Sequence, residues 1–235
     1  MSGELLPMEP AAPGLALGLD TCGPETSLAL ARYSAEGAVI LCMATLAPRM
    51  AAAGIVDALR EVLGDVSVQT LDAIVVVRGP GSFTGMRIGL SCAKALAAAT
   101  GAPLLGVSRL AVFEHAARTP WSALDAGRGH VYLRVSATEI EQMLTADEAR
   151  EAVPADAWSD VAVCEAKAAA VFALGGSSGE RHAEGRRLVP APDAAAAVLY
   201  ALPRLLAADW DDAERLDALY LWREEQMFGR PAKRA

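Results

Sequence analysis

The sequence predicts an α/β chain of two lobes, each a mixed sheet flanked by helices. Three observations carry this. Short runs rich in Leu, Ile and Val are interleaved with alanine-rich stretches of helix length. Three strand-like runs at the start are joined only by tight turns, and helix, strand and helix then follow. The opening theme, a strand ending in Asp, a turn and a second strand, returns near the middle of the chain.

Taken in order, Leu15–Thr21 reads as a strand ending in Asp20-Thr21, with Cys22–Glu25 as a turn. Thr26–Tyr33 and Ala38–Ala44, separated by Glu36-Gly37, complete an antiparallel meander. Pro48–Leu63 is amphipathic and closed by Gly64, so it reads as a helix. Leu71–Val77 is a β-branched run expected to be a buried strand. A glycine-rich turn leads from it into a helix over 86–99, closed by Gly101 and Pro103. Leu104–Val107 is a short strand, and Ser108 caps a helix over 109–118 that ends before Thr119-Pro120. Trp121–Gly127 and His130–Val135 form a hairpin, the repeat of the opening theme. Thr145-Ala-Asp-Glu148 is a capping box for a short helix reaching Val153, and Val161–Cys164 is a strand. Phe172–Gly179 is a second glycine-rich turn, Asp193 caps a helix over 194–207, and Asp209–Asp212 is an acidic loop. The expected division is a disordered lead over 1–14, a first lobe over 15–110, a second lobe over 111–228 and a disordered basic tail over 229–235.

Composition narrows the functions. No run approaches the roughly 18 apolar residues of a membrane span, and the N-terminus has neither a basic start nor an apolar stretch of signal-peptide type. The four cysteines stand far apart and read as reduced core thiols of a cytoplasmic protein. The three histidines are scattered without the spacing of a metal frame, so no metal and no cofactor are expected. A net charge of −8 argues against a face that holds nucleic acid by itself.

The most informative stretch is Gly79-Pro80-Gly81-Ser82-Phe83-Thr84-Gly85-Met86-Arg87-Ile88-Gly89-Leu90. It matches neither a Walker loop nor a dinucleotide fingerprint, because Thr84 stands where each pattern needs glycine. Two readings fit the residues: an anion cradle at a helix N-terminus, or a structural turn that lets the helix pack tightly. Gly85, Gly89 and Ala93 recur every fourth residue, a smooth stripe turned either to its own sheet or to a partner.

With Arg78 before it and Ala93-Lys94 after it, this stretch resembles the signature of the TsaB (YeaZ) family, a paralogue of TsaD in the actin, Hsp70 and sugar-kinase superfamily. Asp125-Ala126-Gly127 and Leu219–Arg223 resemble further segments of that family, with Gly127 and His130 as departures from its pattern. The resemblance implies two ribonuclease-H-like lobes. It implies a non-catalytic dimerisation subunit of the bacterial complex that transfers threonylcarbamoyl to N6 of the adenosine 3′ of the anticodon, in tRNAs reading ANN codons. TsaD would be the partner, the ATPase TsaE a third subunit, and tRNA would be met only through the complex. A homodimer is the expected alternative when TsaD is absent. The helices of the first lobe would carry the interface, here Met50, Gly54, Ile55, Ala58, Gly85, Gly89 and Ala93. Asp20, Thr21 and Asp125 would be remnants of a nucleotide site, with Gly175-Gly176 beside adenosine. Asp20 reads equally well as a cap of its own turn. The alternative function is a nucleotide-binding kinase or ATPase of the same superfamily; a protease reading finds no nucleophile or metal frame.

Overall fold

A computed structural model describes residues 13–172 and 188–221. Residues 1–12 of the expected lead, the expected tail, Gly175-Gly176, His182, the arginines at 181, 186 and 187, and Arg223 lie outside the described residues, while Gly14, the last of the expected lead, opens the first strand. The first sheet is built from β1 (Gly14–Asp20), β2 (Thr26–Ser34), β3 (Gly37–Leu46), β4 (Ala73–Val77) and β5 (Leu104–Val107), in the order β3-β2-β1-β4-β5. β1, β2 and β3 run antiparallel, and β4 and β5 continue parallel to β1.

The alternation within β1 explains how this sheet is covered. Leu17 and Leu19 face a core shared with helices α1 (Ala51–Leu63) and α2 (Phe83–Thr100). Ala16 faces the opposite side, where α6 (Ala194–Leu206) packs through Ala197, Val198 and Ala201. Small residues suit that side because α6 comes very close: a Cβ on Gly18 would lie 2.6 Å from the Ala194 carbonyl oxygen.

The second sheet has the order β8-β7-β6-β9, from β6 (Trp121–Gly127), β7 (His130–Val135), β8 (Ile140–Thr145) and β9 (Val161–Val163). Short helices α4 (Ala146–Ala152) and α5 (Ala166–Val171) cover one face. Its other face receives Leu110 and Phe113 of α3 (Arg109–Ala117), while Val112 of the same helix belongs to the core under α6. Thus α3 is shared by both sheets. After Val189, whose amide donates to the Val163 carbonyl of β9 at 3.0 Å, the chain returns to the first sheet, so α6 packs there although the sequence division groups it with the second lobe.

The expected acidic linker at 209–212 is a clamp. The Asp211 amide donates to the Leu104 carbonyl at 2.9 Å, and its carboxylate accepts from the Gly106 amide at 2.7 Å and from Arg204 at 3.2 Å. Asp209 holds the same guanidinium at 2.7 Å. Asp211→Ala is expected to cost about 2 kcal/mol, because a β5 amide and Arg204 both lose a charged acceptor. A shift in urea midpoint with unchanged slope is the check; an unmoved midpoint would show that the clamp is dispensable.

The four cysteines are free. Burial pushes the Cys22 thiol well up, and it pushes Cys164 up to about 12, so both are held as neutral thiols. Among the described residues, no helix is long and apolar enough to cross a membrane.

Candidate functional site

The glycine stretch lies where β4 ends and α2 begins. Helix α2 starts at Phe83, three residues before the position expected from sequence, because Ser82 acts as its N-cap. The Ser82 hydroxyl accepts from the Gly85 amide at 3.1 Å. The loop proper is therefore Gly79–Ser82, with a cis peptide at Gly79-Pro80; Phe83, Thr84, Gly85 and Arg87 belong to the first turn and a half of helix.

What fills the space in front of this helix is the turn after β1. The Thr21 hydroxyl donates to the Gly85 carbonyl at 2.6 Å, and the Cys22 carbonyl accepts from the Ser82 amide at 2.8 Å. The Cys22 thiol donates to the Val77 carbonyl at 3.1 Å. A Cβ on Gly85 would collide with the Thr21 carbonyl oxygen, one on Gly81 with the Cys22 carbonyl oxygen, and one on Gly89 with the Thr21 hydroxyl. The signature glycines thus exist because the 20–22 backbone lies directly on the loop and helix. Of the two readings open at the sequence level, the tight structural turn is the one observed.

Most of the residues expected at a partner surface pack within the chain itself. Gly85, Gly89 and Ala93 are buried against the chain's own turn and core. Ile55 and Ala58 are buried beneath α1, and Gly54 is half-buried with its Cα toward Leu46 of β3. Only Met50, at 47% exposure, faces outward. The physical reason is that small and apolar residues on an amphipathic helix mark the packed face, whichever neighbour does the packing. The outward faces carry Val56, 54% exposed, on α1, and Phe83, 52% exposed, on α2. The Arg87 guanidinium lies 3.9 Å from the centre of the Phe83 ring and donates through Nε to the Tyr220 hydroxyl at 3.0 Å. The Phe83 and Tyr220 rings are 5.5 Å apart. This exposed trio joins the motif helix to the C-terminal segment. Periodicity alone did not single out Tyr220's place in it, since it lies 133 positions from Arg87.

Asp20 closes β1, Asp125 lies two residues before the end of β6, and the two do equivalent local work. Asp20 Oδ1 accepts from the Cys22 amide at 2.8 Å, and Asp125 Oδ1 accepts from the Gly127 amide at 2.8 Å. Their second oxygens face different cations. Asp20 is 2% exposed and faces Arg109, with Oδ2 3.8 Å from Nε. Burial raises the Asp20 carboxyl, and the Arg109 guanidinium and the Cys22 amide pull it part of the way back. Asp125 Oδ2 sits 3.8 Å from the exposed Lys167. Sequence reasoning missed Arg109, which looked like an ordinary first residue of a helix. Among the described residues, no three His, Cys, Asp or Glu side chains are grouped to hold a metal ion.

Residues 45–182 match the family model described as TsaD, tRNA N6-adenosine threonylcarbamoyltransferase. The chain is 32% identical over 124 residues to the tRNA threonylcarbamoyladenosine biosynthesis protein TsaB of Escherichia coli, covering 49% of this chain and 52% of that one. It is 36% identical over 124 residues to TsaB of Haemophilus influenzae, covering 49% and 51%. The chain spans about half the length of these curated relatives. A crystal structure from Pseudomonas aeruginosa, of an uncharacterized protein with similarity to peptidase YEAZ, superposes with a TM-score of 0.68 at 26% identity, covering 89% of this chain and 100% of that one. YeaZ from Pseudomonas aeruginosa shares the fold, with a TM-score of 0.61 at 22% identity over 88% and 100%. With more than half of its residues inside the family model, the chain belongs to the TsaD tRNA N6-adenosine threonylcarbamoyltransferase family, whose TsaB (YeaZ) members it matches in sequence and in fold.

Proposed function

We propose that the chain is a non-catalytic, dimerising subunit of the complex that places threonylcarbamoyl on N6 of the adenosine 3′ of the anticodon in tRNAs reading ANN codons. In this reading it binds and activates TsaD, the ATPase TsaE joins the assembly, and tRNA is met only through the complex, in the cytoplasm. The observation that carries the reading is how the signature loop is spent. Its helix cap, its Ser82 amide and its Gly85 carbonyl are all engaged by the chain's own 21–22 turn and Ser82 side chain. The same helix turns Phe83 and Arg87 outward, and Met50, the N-cap of α1, and Val56 within α1 are exposed as well. Aromatic and arginine side chains held in place before contact are what protein interfaces use as anchors. The first lobe's helices serve docking in this reading, with Met50, Val56, Phe83 and Arg87 meeting the partner and Gly85, Gly89 and Ala93 holding the helix beneath them.

An omission assay tests it. Purified TsaD, TsaE and the adenylate-forming enzyme are supplied with tRNA, threonine, bicarbonate and ATP, with and without this chain. Threonylcarbamoyladenosine formation is expected to collapse on omission, and the chain alone is expected to form none. Undiminished modification without it would reject the scaffold role.

A further inference from the structure

The superfamily resemblance makes Asp20 the remnant of a nucleotide site, and the residues present do not fit a metal-bound nucleotide there. The expected crevice is defined by topology. From β1 the chain turns to β2 on one side, while β4, the parallel neighbour of β1, leads to β5 on the other. Open α/β sheets take ligands at such a switch point, outside the carboxyl ends of the strands. Here those ends carry Asp20 and the Arg78–Ser82 loop.

We propose that Arg109 is an internal counter-ion that closes this crevice, its guanidinium occupying the place beside Asp20 that a nucleotide's metal ion would need. Four observations converge. Arg109 is 3% exposed, and its Nε lies 3.8 Å from Asp20 Oδ2. That Nε is a buried donor without a hydrogen-bond partner among the described residues, so it is held there by charge and packing rather than by a directional bond. The guanidinium covers the turn: a Cβ on Gly23 would lie 2.7 Å from Nη2. The loop's own groups are engaged internally, with the Arg109 amide donating to the Gly79 carbonyl at 2.7 Å and the Ser82 amide to the Cys22 carbonyl at 2.8 Å. A cation arriving at Asp20 would meet a positive charge already in place and a carboxylate whose other oxygen is taken by the Cys22 amide. Asp125, the second acidic residue such a site would use, is turned to Gly127 and Lys167 instead. Because α3 is shared by the two sheets, the plug is anchored from both sides.

The test uses the full chain by itself, so its outcome is independent of the partner reading. Melting temperatures are measured for Asp20→Asn, Arg109→Met and the double variant, and MgATP is titrated calorimetrically into the wild-type chain. Each single change leaves a buried charge without its partner, whereas the double change removes both. The double variant is expected to melt above both single variants, and millimolar MgATP is expected to give no saturable heat. A double variant that melts no higher than either single variant overturns the proposal. So does saturable MgATP binding that Asp20→Asn abolishes.

Discussion

Gly85→Ala is expected to lower the stability of the chain by about 2–4 kcal/mol. Two effects oppose each other. Alanine is favoured over glycine inside a helix by about 1 kcal/mol, and Gly85 is helical. Against that, the new methyl would sit on the Thr21 carbonyl oxygen. That oxygen is a backbone atom and cannot rotate away as a side chain could. It is also fixed from both sides, by the Thr21 hydroxyl bond to Gly85 and by the Cys22 bond to Ser82. Either α2 lifts from the sheet, opening the core around Leu90 and Ala93, or the end of β1 moves with Asp20. Steric exclusion therefore outweighs propensity. Urea unfolding is the measurement, with Ser91→Ala on the exposed side of the same helix as control, expected within about 0.5 kcal/mol of wild type. A Gly85→Ala midpoint equal to the control's would mean that the 20–22 turn is not docked as described. Gly89→Leu is expected to fail in the same manner, so it reports on folding and not on partner affinity.

Val56→Asp and Phe83→Ala, each made singly, are expected to weaken TsaD binding by about 30- to 100-fold, or about 2–3 kcal/mol. Both side chains are more than half exposed, so neither change opens the core, and the melting temperature of the lone chain is expected to stay put. The two act differently. An Asp at 56 replaces an exposed apolar side chain with a charge, which must be desolvated when a partner covers it. Loss of the Phe83 ring removes the face over which Arg87 lies and one wall of the trio with Tyr220. Val39→Ser, on the exposed side of the edge strand β3, is the control and is expected to leave affinity unchanged. Equal affinity for all three variants would move the docking surface away from α1 and α2.

Much of the architecture was legible because it is local. The opening meander follows from tight turns between apolar runs, and the capping box at Thr145-Glu148 forms as expected, with both reciprocal bonds present. Two elements were not read. In β8, Ile140–Thr145, only Met143 and Leu144 are buried, adjacent rather than alternating, so the period of two is masked. In α5, Ala166–Val171, a run of six residues is too short to show a helical stripe. The start of α2 was placed late because Ser82–Gly85 reads as part of the glycine-rich turn, whereas Ser82 caps the helix and Gly85 lies inside it.

By itself the sequence determined the family signature, the order of the first lobe's elements, the doubled strand-Asp-turn-strand theme and the small-residue face of α2. Each of these is written in neighbouring residues or in a short period. Only the tertiary structure decided which neighbour that face meets. It also decided that Arg109 lies against Asp20, 89 positions away in the chain, that Tyr220 joins Arg87, and that α6 returns to the first sheet. A stripe of glycine and alanine specifies close approach without naming what approaches. The pairing of distant charges depends on where two helices and a turn converge, and that is fixed by packing across the whole chain.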